Sequence, residues 1–293
     1  MKVLIADKID DKVLKLHLSK SVKFDYRPEV TPEHLLKIIK NYEGLIVRSR
    51  TKVTEKIINR GKKLKAIGRA GSGLDNIDLI TAKKNNIVVV NTPGANSNAV
   101  VELTLGLIFS LLRKLENAYS SMKDGLWLKK DLKGQELKGK AVGIIGYGNI
   151  GKKLKTVLES LGVKTYFFSR HKKNVGLKEL FAKSDIVTIH LSLTAETENI
   201  INNKMLFLMK PSSYLINISR GGVIEEESLY HALKNNKIAG AALDVYWSEP
   251  LPPDSKWRKL NNVIMTPHIG ASTSEALTRA TSEIMEKVIK NLK

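Results

Sequence analysis

Short apolar runs alternate with longer amphipathic stretches along the first third of the chain. The apolar runs are rich in Val and Ile, as in "KVLIAD", "VKFDYR", "GLIVRS", "LKAIGRAG" and "IVVVNTP". The stretches between them, such as "DDKVLKLHL", "PEHLLKIIKNY", "TEKIINRG" and "NIDLITAKKN", carry apolar residues at helical spacing. Strand followed by helix at this spacing predicts a parallel sheet with helices on its faces, ending near Pro93.

The same alternation resumes after a polar loop, "KKDLKGQELKGK". It runs through "AVGIIGYG", "VKTYFF", "DIVTIHL", "YLINIS", "GAALDVY" and "NVIMTPH", which predicts a second parallel sheet. Between the two sheets, "SNAVVELTLGLIFSLLRKLENAYSSM" predicts one extended helix that is capped between Asn96 and Asn98. A last helix is predicted for "STSEALTRATSEIMEKVIKNLK". The predicted fold class is therefore α/β, with two doubly wound parallel-sheet domains.

Composition narrows the class of protein. A chain of 293 residues is long enough for two domains, and its net charge of +20 raises the question of nucleic-acid binding. Of its 49 basic residues, 39 are lysines that occur singly or in pairs, which favours a solvated surface that attracts small anions over a nucleic-acid site. No apolar run approaches the ~20 residues that cross a bilayer. The absence of cysteine excludes disulfides and thiolate sites, and we expect a cytoplasmic protein that binds neither membrane nor nucleic acid.

A glycine-rich turn, "GIIGYGNIG", follows the first strand of the second sheet and precedes a helix. Gly146, Gly148 and Gly151 have the G-x-G-x-x-G spacing, in which the glycines allow a tight turn, close approach of a pyrophosphate and helix–strand packing. The N–H groups near Asn149 and Ile150 would face the phosphates at the helix N-terminus. The turn predicts dinucleotide binding.

Polar residues follow three later strands of the same sheet. Arg220 comes after "YLINIS", Asp244 and then Glu249 after "GAAL", and His268 after "NVIMTP". Ligands collect at the carboxyl ends of such strands, and oxidation of a secondary alcohol needs a base of histidine type, an orienting carboxylate and a cation for the substrate. No zinc, P-loop or serine-hydrolase motif is found, so the pattern favours hydride transfer without a metal.

These motifs resemble those of the D-isomer-specific 2-hydroxyacid dehydrogenases, over essentially the whole chain. The resemblance rests on "NISRGGVIEEESL", "DVYWSEP" and "TPHIGAS". It implies that Arg220 binds substrate, Glu249 pairs with the histidine, His268 is the acid–base group, which also touches substrate and cofactor, and Asp244 contacts the nicotinamide carboxamide. It implies a flavodoxin-like substrate domain of residues 1–92 and 271–293 around a Rossmann cofactor domain of residues 93–270. Further cofactor contacts are implied for Ser72, Leu191, Ile218 and Gly270.

Within the family, the N-terminal half is most similar to the D-3-phosphoglycerate dehydrogenases, which catalyse the first step of serine biosynthesis. "GLIVRSRTKVTEKII", "LKAIGRAGSGLDNIDL" and "VVNTPGANSNAVVELTLGL" carry this similarity. It implies that Gly71, Ser72 and Gly73 hold the substrate carboxylate, that Arg48 lies near the cleft, and that Arg50 is a candidate for a phosphate. The chain stops at Lys293, so we expect no C-terminal serine-sensing domain.

The alternatives are a glyoxylate or hydroxypyruvate reductase and, in another class, a nucleotide-sensing corepressor. The family also implies a homodimer, formed through the cofactor domain and the long helix near Asn98.

The choice of cofactor depends on "YFFSRHKK". Ser169 stands where the family usually has an aspartate that binds the ribose hydroxyls and repels a 2′-phosphate. Together with Arg170, Lys172 and Lys173 it favours NADP over NAD. The alternative is a solvated basic loop with NAD bound through the remaining contacts.

Overall fold

The computed structural model describes residues 1–16, 22–170 and 172–293. They form two compact units, Met1–Ser97 with Ala271–Lys293, and Asn98–Gly270. The boundary expected from the sequence lies after residue 92, and the substrate and cofactor roles of the two domains stay predictions. Across the described residues, no helix combines the length and the apolar character needed to span a membrane.

The first unit is built on a five-stranded sheet in which every strand pair is parallel. Its strand order is β2-β1-β3-β4-β5, with strands β1 Lys2–Ile5, β2 Lys23–Tyr26, β3 Gly44–Val47, β4 Ala66–Arg69 and β5 Val88–Asn91. This is the flavodoxin-like order, in which the chain reverses its direction across the sheet between β1 and β3. The predicted α/β class with a parallel sheet is confirmed for this unit.

Helices cover both faces of this sheet. They are α1 Asp11–Leu16, α2 Pro32–Ile38, α3 Glu55–Arg60, α4 Leu79–Lys84 and, from the end of the chain, α11 Ser274–Leu292. The end of the helix predicted from "DDKVLKLHL", residues 17 and 18, lies outside the described residues. One face is closed by α11, whose Ile284, Met285 and Val288 are fully buried against Val3 and Ile46. The C-terminal segment is therefore part of the first unit's hydrophobic core.

The second unit has a six-stranded parallel sheet. The strand order is β11-β10-β9-β8-β6-β7, with strands β6 Ala141–Ile145, β7 Lys164–Phe168, β8 Ile186–Ile189, β9 Tyr214–Asn217, β10 Gly240–Leu243 and β11 Val263–Met265. The order reverses between β6 and β8, and an open α/β sheet binds its ligands outside the strand ends at such a switch point. The glycine-rich turn follows β6 at this place.

Six helices of the described residues begin in or next to this unit. They are α5 Ser97–Arg113, α6 Leu115–Lys123, α7 Asn149–Ser160, α8 Leu177–Lys183, α9 Asn203–Phe207 and α10 Glu226–Lys234. Two apolar clusters, one centred on α8 to α10 and one on α5 and α7, bury the sheet residues, as expected of strands covered on both faces.

The prediction of one extended helix between the sheets is wrong. The segment forms α5 and α6, which are separated at Lys114. Lys114 has φ 52° and ψ 41°, the left-handed conformation, so the helical hydrogen bonds of α5 cannot continue through it. Lysine gives no sequence signal for such a break, since a residue of this conformation is usually Gly or Asn.

Candidate active site

The glycine-rich turn leaves open space at the start of α7. A Cβ on Gly146, whose φ is 102°, would lie 2.3 Å from the carbonyl oxygen of His190, and one on Gly151 would lie 2.1 Å from the carbonyl oxygen of Gly146. A Cβ on Gly148, in contrast, would meet no atom within 4 Å. Among the residues that the structure describes, no side-chain hydrogen bond caps the N-terminus of α7, which begins at Asn149. The first N–H groups of a helix beside an open glycine fit the pyrophosphate of a dinucleotide.

His190, a partly buried histidine, lies against this turn through its backbone carbonyl. The Nε2 atom of His190 lies 3.0 Å from the hydroxyl oxygen of Thr188. Burial lowers the pKa of His190 to about 3, so the ring is neutral at physiological pH. A phosphate at the turn would therefore be attracted by the backbone N–H groups and the helix dipole rather than by this side chain.

The segment after β7 forms a tight turn that places Ser169 beside basic residues. The hydroxyl of Ser169 donates to the carbonyl oxygen of Lys172 at 2.6 Å and accepts from the N–H of Lys172 at 3.2 Å. Arg170 forms an exposed ion pair with Glu196. The ammonium of Lys172 lies 5.7 Å from the ring centre of Tyr147, which belongs to the glycine-rich turn. The ammonium of Lys172 thus lies next to that turn, and the hydroxyl of Ser169 bonds to the backbone of the same lysine.

Glu249 and His268 form a hydrogen-bonded pair in the second unit. The Nδ1 atom of His268 lies 2.7 Å from the Oε2 atom of Glu249, while Oε1 of Glu249 accepts the N–H of Tyr246 at 3.0 Å. The side chains of His268 and Glu249 are 41% and 37% exposed, so a small molecule can reach the imidazole. Their loops follow β11 and β10, whose carboxyl ends share one edge of the sheet.

The charge of Glu249 fixes which nitrogen of His268 carries the proton. Burial disfavours the carboxylate, but the hydrogen bonds from His268 and Tyr246 and the positive charge of Arg220 outweigh it and lower the pKa of Glu249. An ionised carboxylate only accepts hydrogen bonds, so Nδ1 of His268 is the donor. In the neutral imidazole the other nitrogen, Nε2, is then the one that accepts a proton.

Arg220 follows β9 on a segment that is held by its own backbone contacts. Its carbonyl oxygen accepts from the side-chain amide of Asn217 at 2.9 Å, and its Nη1 atom donates to the carbonyl oxygen of Ser219 at 2.7 Å. The positive charge of Arg220 contributes to the lowered pKa of Glu249, so the guanidinium lies within electrostatic reach of the Glu249–His268 pair. The structure therefore brings the three predicted catalytic residues into one cluster.

Asp244 lies fully buried at the end of β10, beneath the segment that carries His268. Its carboxylate accepts the hydroxyl of Thr266 at 2.6 Å and the N–H groups of Ile269 and Gly270, both at 2.8 Å. A Cβ on Gly270 would lie 3.1 Å from the Asp244 carboxylate. Two residues assigned to cofactor contacts, Asp244 and Gly270, are therefore direct partners.

The remaining predicted cofactor residues of this unit lie at strand ends. Leu191 follows β8 and is partly buried against one apolar cluster, whereas Ile218 follows β9 and is buried in the other. Both lie at the edge of the sheet that also carries the glycine-rich turn.

The predicted substrate residues of the first unit lie at the carboxyl ends of β3 and β4. Arg48 donates from its backbone N–H to Asp7 at 2.5 Å and from Nη1 to the carbonyl oxygen of Lys8 at 3.1 Å. The hydroxyl of Ser72, between Gly71 and Gly73, donates to the side-chain oxygen of Asn96 at 3.0 Å. These contacts belong to the first unit alone.

Arg50, the candidate for a phosphate, has its donors occupied within the first unit. It donates to the carboxylate of Asp7 at 3.1 Å and to the carbonyl oxygens of Val30 at 3.2 Å, Ala6 at 2.6 Å and Pro28 at 2.7 Å. A guanidinium that is engaged by four acceptors holds two loops together and has little capacity left for a ligand.

Three residues that support this site were not predicted from the sequence. Asn217, Tyr246 and Thr266 bond to the segments that carry Arg220, Glu249 and His268, but each stands among apolar residues at a strand end and resembles an ordinary core position. Within residues 1–16, 22–170 and 172–293, no three His, Asp or Glu side chains are grouped as metal ligands.

A glycine turn for a dinucleotide and an Arg–Glu–His cluster on one parallel sheet define a nicotinamide-dependent dehydrogenase. Residues 105–270 match the family model described as D-isomer specific 2-hydroxyacid dehydrogenase, NAD binding domain. The chain belongs to the D-isomer specific 2-hydroxyacid dehydrogenase family. The resemblance found in the sequence is confirmed.

Relatives of the chain carry more than one enzyme name. It is 43% identical to a hydroxypyruvate reductase of Thermotoga maritima, covering 99% of this chain and 98% of that protein. It is 40% identical to a D-3-phosphoglycerate dehydrogenase of Methanocaldococcus jannaschii, covering 100% of this chain but 58% of that protein. The chain thus spans little more than half the length of the phosphoglycerate dehydrogenase.

A solved structure supports the fold and a nicotinamide cofactor. An acyclic imino acid reductase in complex with NADPH and D-Arg has a TM-score of 0.90 and 30% identity, covering 99% of this chain and 96% of that one. The predicted α/β class with two parallel-sheet domains is confirmed.

Proposed function

We propose that the protein interconverts a small anionic D-2-hydroxyacid and its 2-oxoacid, with the Arg220–Glu249–His268 cluster at the reacting atoms. The observation that carries this proposal is the 2.7 Å hydrogen bond between Nδ1 of His268 and Oε2 of Glu249. It leaves Nε2 of His268 as the base in oxidation and, once protonated, as the acid in reduction.

Each residue of the cluster has a separate task. His268 takes the proton of the substrate hydroxyl, and the negative charge of Glu249 stabilises the imidazolium that results. The fixed guanidinium of Arg220 binds the carboxylate or carbonyl oxygen of the substrate. A bound nicotinamide dinucleotide supplies the hydride acceptor. Gly146, Gly148 and the first N–H groups of α7 would hold its pyrophosphate.

For the substrate we propose 3-phosphoglycerate first and hydroxypyruvate second. The first choice is supported by the similarity of the N-terminal half to phosphoglycerate dehydrogenases, and the second by the full-length match to the Thermotoga hydroxypyruvate reductase. The occupied donors of Arg50 remove one candidate phosphate ligand and so weaken the first choice. In either case Arg48 and the Gly71–Gly73 backbone are the proposed anion-binding groups of the first unit.

A spectrophotometric assay separates these substrates. NADH and NADPH are each combined with phosphohydroxypyruvate, hydroxypyruvate and glyoxylate, and NAD and NADP with 3-phosphoglycerate. A higher kcat/KM for phosphohydroxypyruvate and 3-phosphoglycerate than for the other substrates supports the first choice. Rapid reduction of hydroxypyruvate or glyoxylate without turnover of the phosphorylated pair selects the second. Catalytic inactivity on all of them would refute both.

For the cofactor we propose NADP, because Ser169 removes the negative charge that would repel a 2′-phosphate. The family description specifies NAD, whereas the imino acid reductase was solved with NADPH, so both occur among proteins of this fold. Arg170 would exchange Glu196 for the phosphate, and exposed ion pairs such as this one are weak. The Ser169→Asp variant should lose activity with NADPH and keep it with NADH. A wild-type preference for NADH contradicts the proposal.

We also propose a homodimer. Besides the family resemblance, it is supported by an exposed apolar stripe on and just after α6, formed by Leu115, Tyr119, Met122, Leu126 and Trp127. The first four recur at helical spacing, and Trp127 is 77% exposed. An apolar surface of this kind is typical of a protein interface.

The corepressor interpretation is not favoured, since the named relatives are reductases and dehydrogenases.

A further inference from the structure

His268 has a backbone conformation that histidine rarely adopts. Its φ is 53°, in the left-handed region, and its N–H donates to the carbonyl oxygen of Thr266 at 3.1 Å. A strained residue of this kind persists only where its surroundings impose the conformation. The contacts on both sides of His268 therefore decide where its imidazole points.

Asp244 holds the chain on both sides of His268. Before it, the hydroxyl of Thr266 donates to Oδ1 at 2.6 Å, and after it, the N–H groups of Ile269 and Gly270 donate to Oδ1 and Oδ2 at 2.8 Å. Asp244 has no exposed surface, and hydrogen bonds to a buried carboxylate are stronger than those between neutral groups. Both ends of the strained segment are thereby attached to β10.

Tyr246 links the same segment to Glu249. Its hydroxyl lies 3.0 Å from the carbonyl oxygens of both Leu243 and Thr266, and its backbone N–H donates to Oε1 of Glu249. Burial raises the pKa of Tyr246 to about 12, so the hydroxyl keeps the single proton that the two carbonyl oxygens share. One residue thus contacts both the His268 segment and the carboxylate that the imidazole faces.

We propose that Asp244 and Tyr246 are positioning residues, which impose the left-handed conformation of His268 and keep its imidazole on Glu249. This inference rests on the proposed function of His268, and for Asp244 it adds a role to the nicotinamide contact implied by the family resemblance. It assigns a task to the Tyr246 hydroxyl, for which the resemblance implies none.

The first test removes one donor to Asp244 without changing Asp244 itself. Thr266→Val deletes the hydroxyl, and Thr266→Ser retains it. With hydroxypyruvate as substrate, we expect the Val variant to lose about tenfold in kcat, since misplacing a reacting group is costly, with little change in KM. The Kd for NADH and NADPH, measured by fluorescence, should remain that of the wild type. The Ser variant should recover the lost kcat. Thr165→Val, at the amino end of β7, is the control.

The second test removes the tyrosine hydroxyl. Tyr246→Phe should lower kcat several-fold, and Tyr230→Phe, which lies outside the network, should not. Since both hydroxyls act on residue 266, the Tyr246→Phe, Thr266→Val double variant should lose less than the product of the two single losses. Thermal unfolding of each variant shows whether it remains folded at the assay temperature.

Amide hydrogen exchange separates failure of this inference from failure of the proposed function. In Thr266→Val, the N–H groups of Ile269 and Gly270 should exchange faster than in the wild type. Faster exchange in a protein that turns over no 2-oxoacid would refute the proposed function but support the positioning role of Asp244 and Tyr246. An active wild type whose Thr266→Val and Tyr246→Phe variants keep both kcat and amide protection would overturn that positioning role.

Discussion

At the scale of single residues, the proposed chemistry depends on one charge. Glu249 is 37% exposed, yet its pKa is lowered, because His268, Tyr246 and Arg220 stabilise its ionised form more than burial opposes it. The carboxylate therefore stays ionised at pH values where an ordinary glutamic acid has begun to take up a proton. Its negative charge is available to His268 throughout the physiological range.

Removing that charge should impair catalysis more than binding. Glu249→Gln keeps the size of the side chain but cannot stabilise the imidazolium, so we expect kcat to fall about 100-fold with a small change in KM. Steady-state kinetics with hydroxypyruvate measures both constants. The control is Glu227→Gln, which removes an exposed carboxylate that pairs with Lys256. Equal kinetics for the two variants would contradict a catalytic role for Glu249.

The sequence predicted the reacting residues more readily than the residues that hold them in place. Arg220, Glu249 and His268 stand out because each is a polar residue after an apolar run, with a chemical reason for its type. Tyr246 and Thr266 could not be selected, because a tyrosine or threonine next to a strand is common in any core. Their function depends on distances between segments that are far apart in sequence.

At the scale of elements, the glycine-rich turn must pack closely against its own backbone at Gly151 and leave open space at Gly148. Substitutions at the two glycines test these requirements separately. Gly151→Ala places a Cβ 2.1 Å from the carbonyl oxygen of Gly146, so we expect a loss of about 1–3 kcal/mol in unfolding free energy. Gly148→Ala meets no protein atom and should change stability by less than about 0.5 kcal/mol. It should nevertheless weaken dinucleotide binding, because the methyl group occupies the space of the pyrophosphate.

Urea unfolding and fluorescence titration with NADPH and NADH measure these two effects. Normal cofactor affinity of a folded Gly148→Ala protein would show that the open space at residue 148 does not serve the cofactor.

The carboxylate of Asp185 stabilises the start of β6, and this stabilisation should depend on pH. It accepts the N–H of Ala141 at 2.8 Å and the ammonium of Lys210 at 2.7 Å, and these contacts lower its pKa although burial raises it. Because the folded-state pKa is the lower one, its stabilisation is complete above the unfolded value of 3.8 and is lost as the pH falls through the folded value. Asp185→Asn should cost about 1–2 kcal/mol at pH 7.

That difference should shrink as urea unfolding is repeated toward pH 3. Asp254→Asn, an exposed position, should show no such trend. A difference that is independent of pH would mean that the side-chain shape of Asp185, and not its charge, stabilises the strand.

Lys114 separates α5 from α6 in a conformation that suits glycine. Lysine in the left-handed region is disfavoured by contact between its Cβ and the backbone, so Lys114→Gly should stabilise the second unit by about 0.5–1 kcal/mol. The gain is measured by urea unfolding. Lys123→Gly, at the last residue of α6, is the control and should destabilise, so a loss at both positions would argue against a left-handed Lys114.

The sequence determined the type of nearly every element in both sheets, because buried strands and amphipathic helices have different apolar periods. The sequence did not predict the break at Lys114, because lysine is not a residue type that signals the end of a helix. The sequence suggested a boundary after residue 92 because Pro93 is a strong local signal, whereas contacts between distant residues divide the structure after Ser97.

At the scale of the whole molecule, the apolar stripe on and after α6 is the exposed surface on which the proposed dimer can be tested. If it forms the proposed dimer interface, Trp127→Asp should dissociate the dimer, because a buried unpaired carboxylate is costly at an interface. Light scattering after size exclusion should then change from about twice the chain mass of 32.6 kDa to that mass. Ile80→Asp, at an exposed position of α4 in the first unit, should leave the dimer intact. A wild-type protein of about 33 kDa contradicts the proposal.

The first unit is made from both ends of the chain, with α11 contributing Ile284, Met285 and Val288 to its core. On the ribosome, residues 1–97 emerge early and then wait while residues 98–270 are synthesised, a delay of roughly ten seconds or more at about 5–20 residues per second. During that time the face of the first sheet that α11 covers in the folded protein lacks that helix, so apolar residues such as Val3 and Ile46 are open to chaperones and to mispairing with other nascent chains. Residues 1–97 are therefore translated before residues 98–270 but cannot complete their unit until residues 271–293 follow.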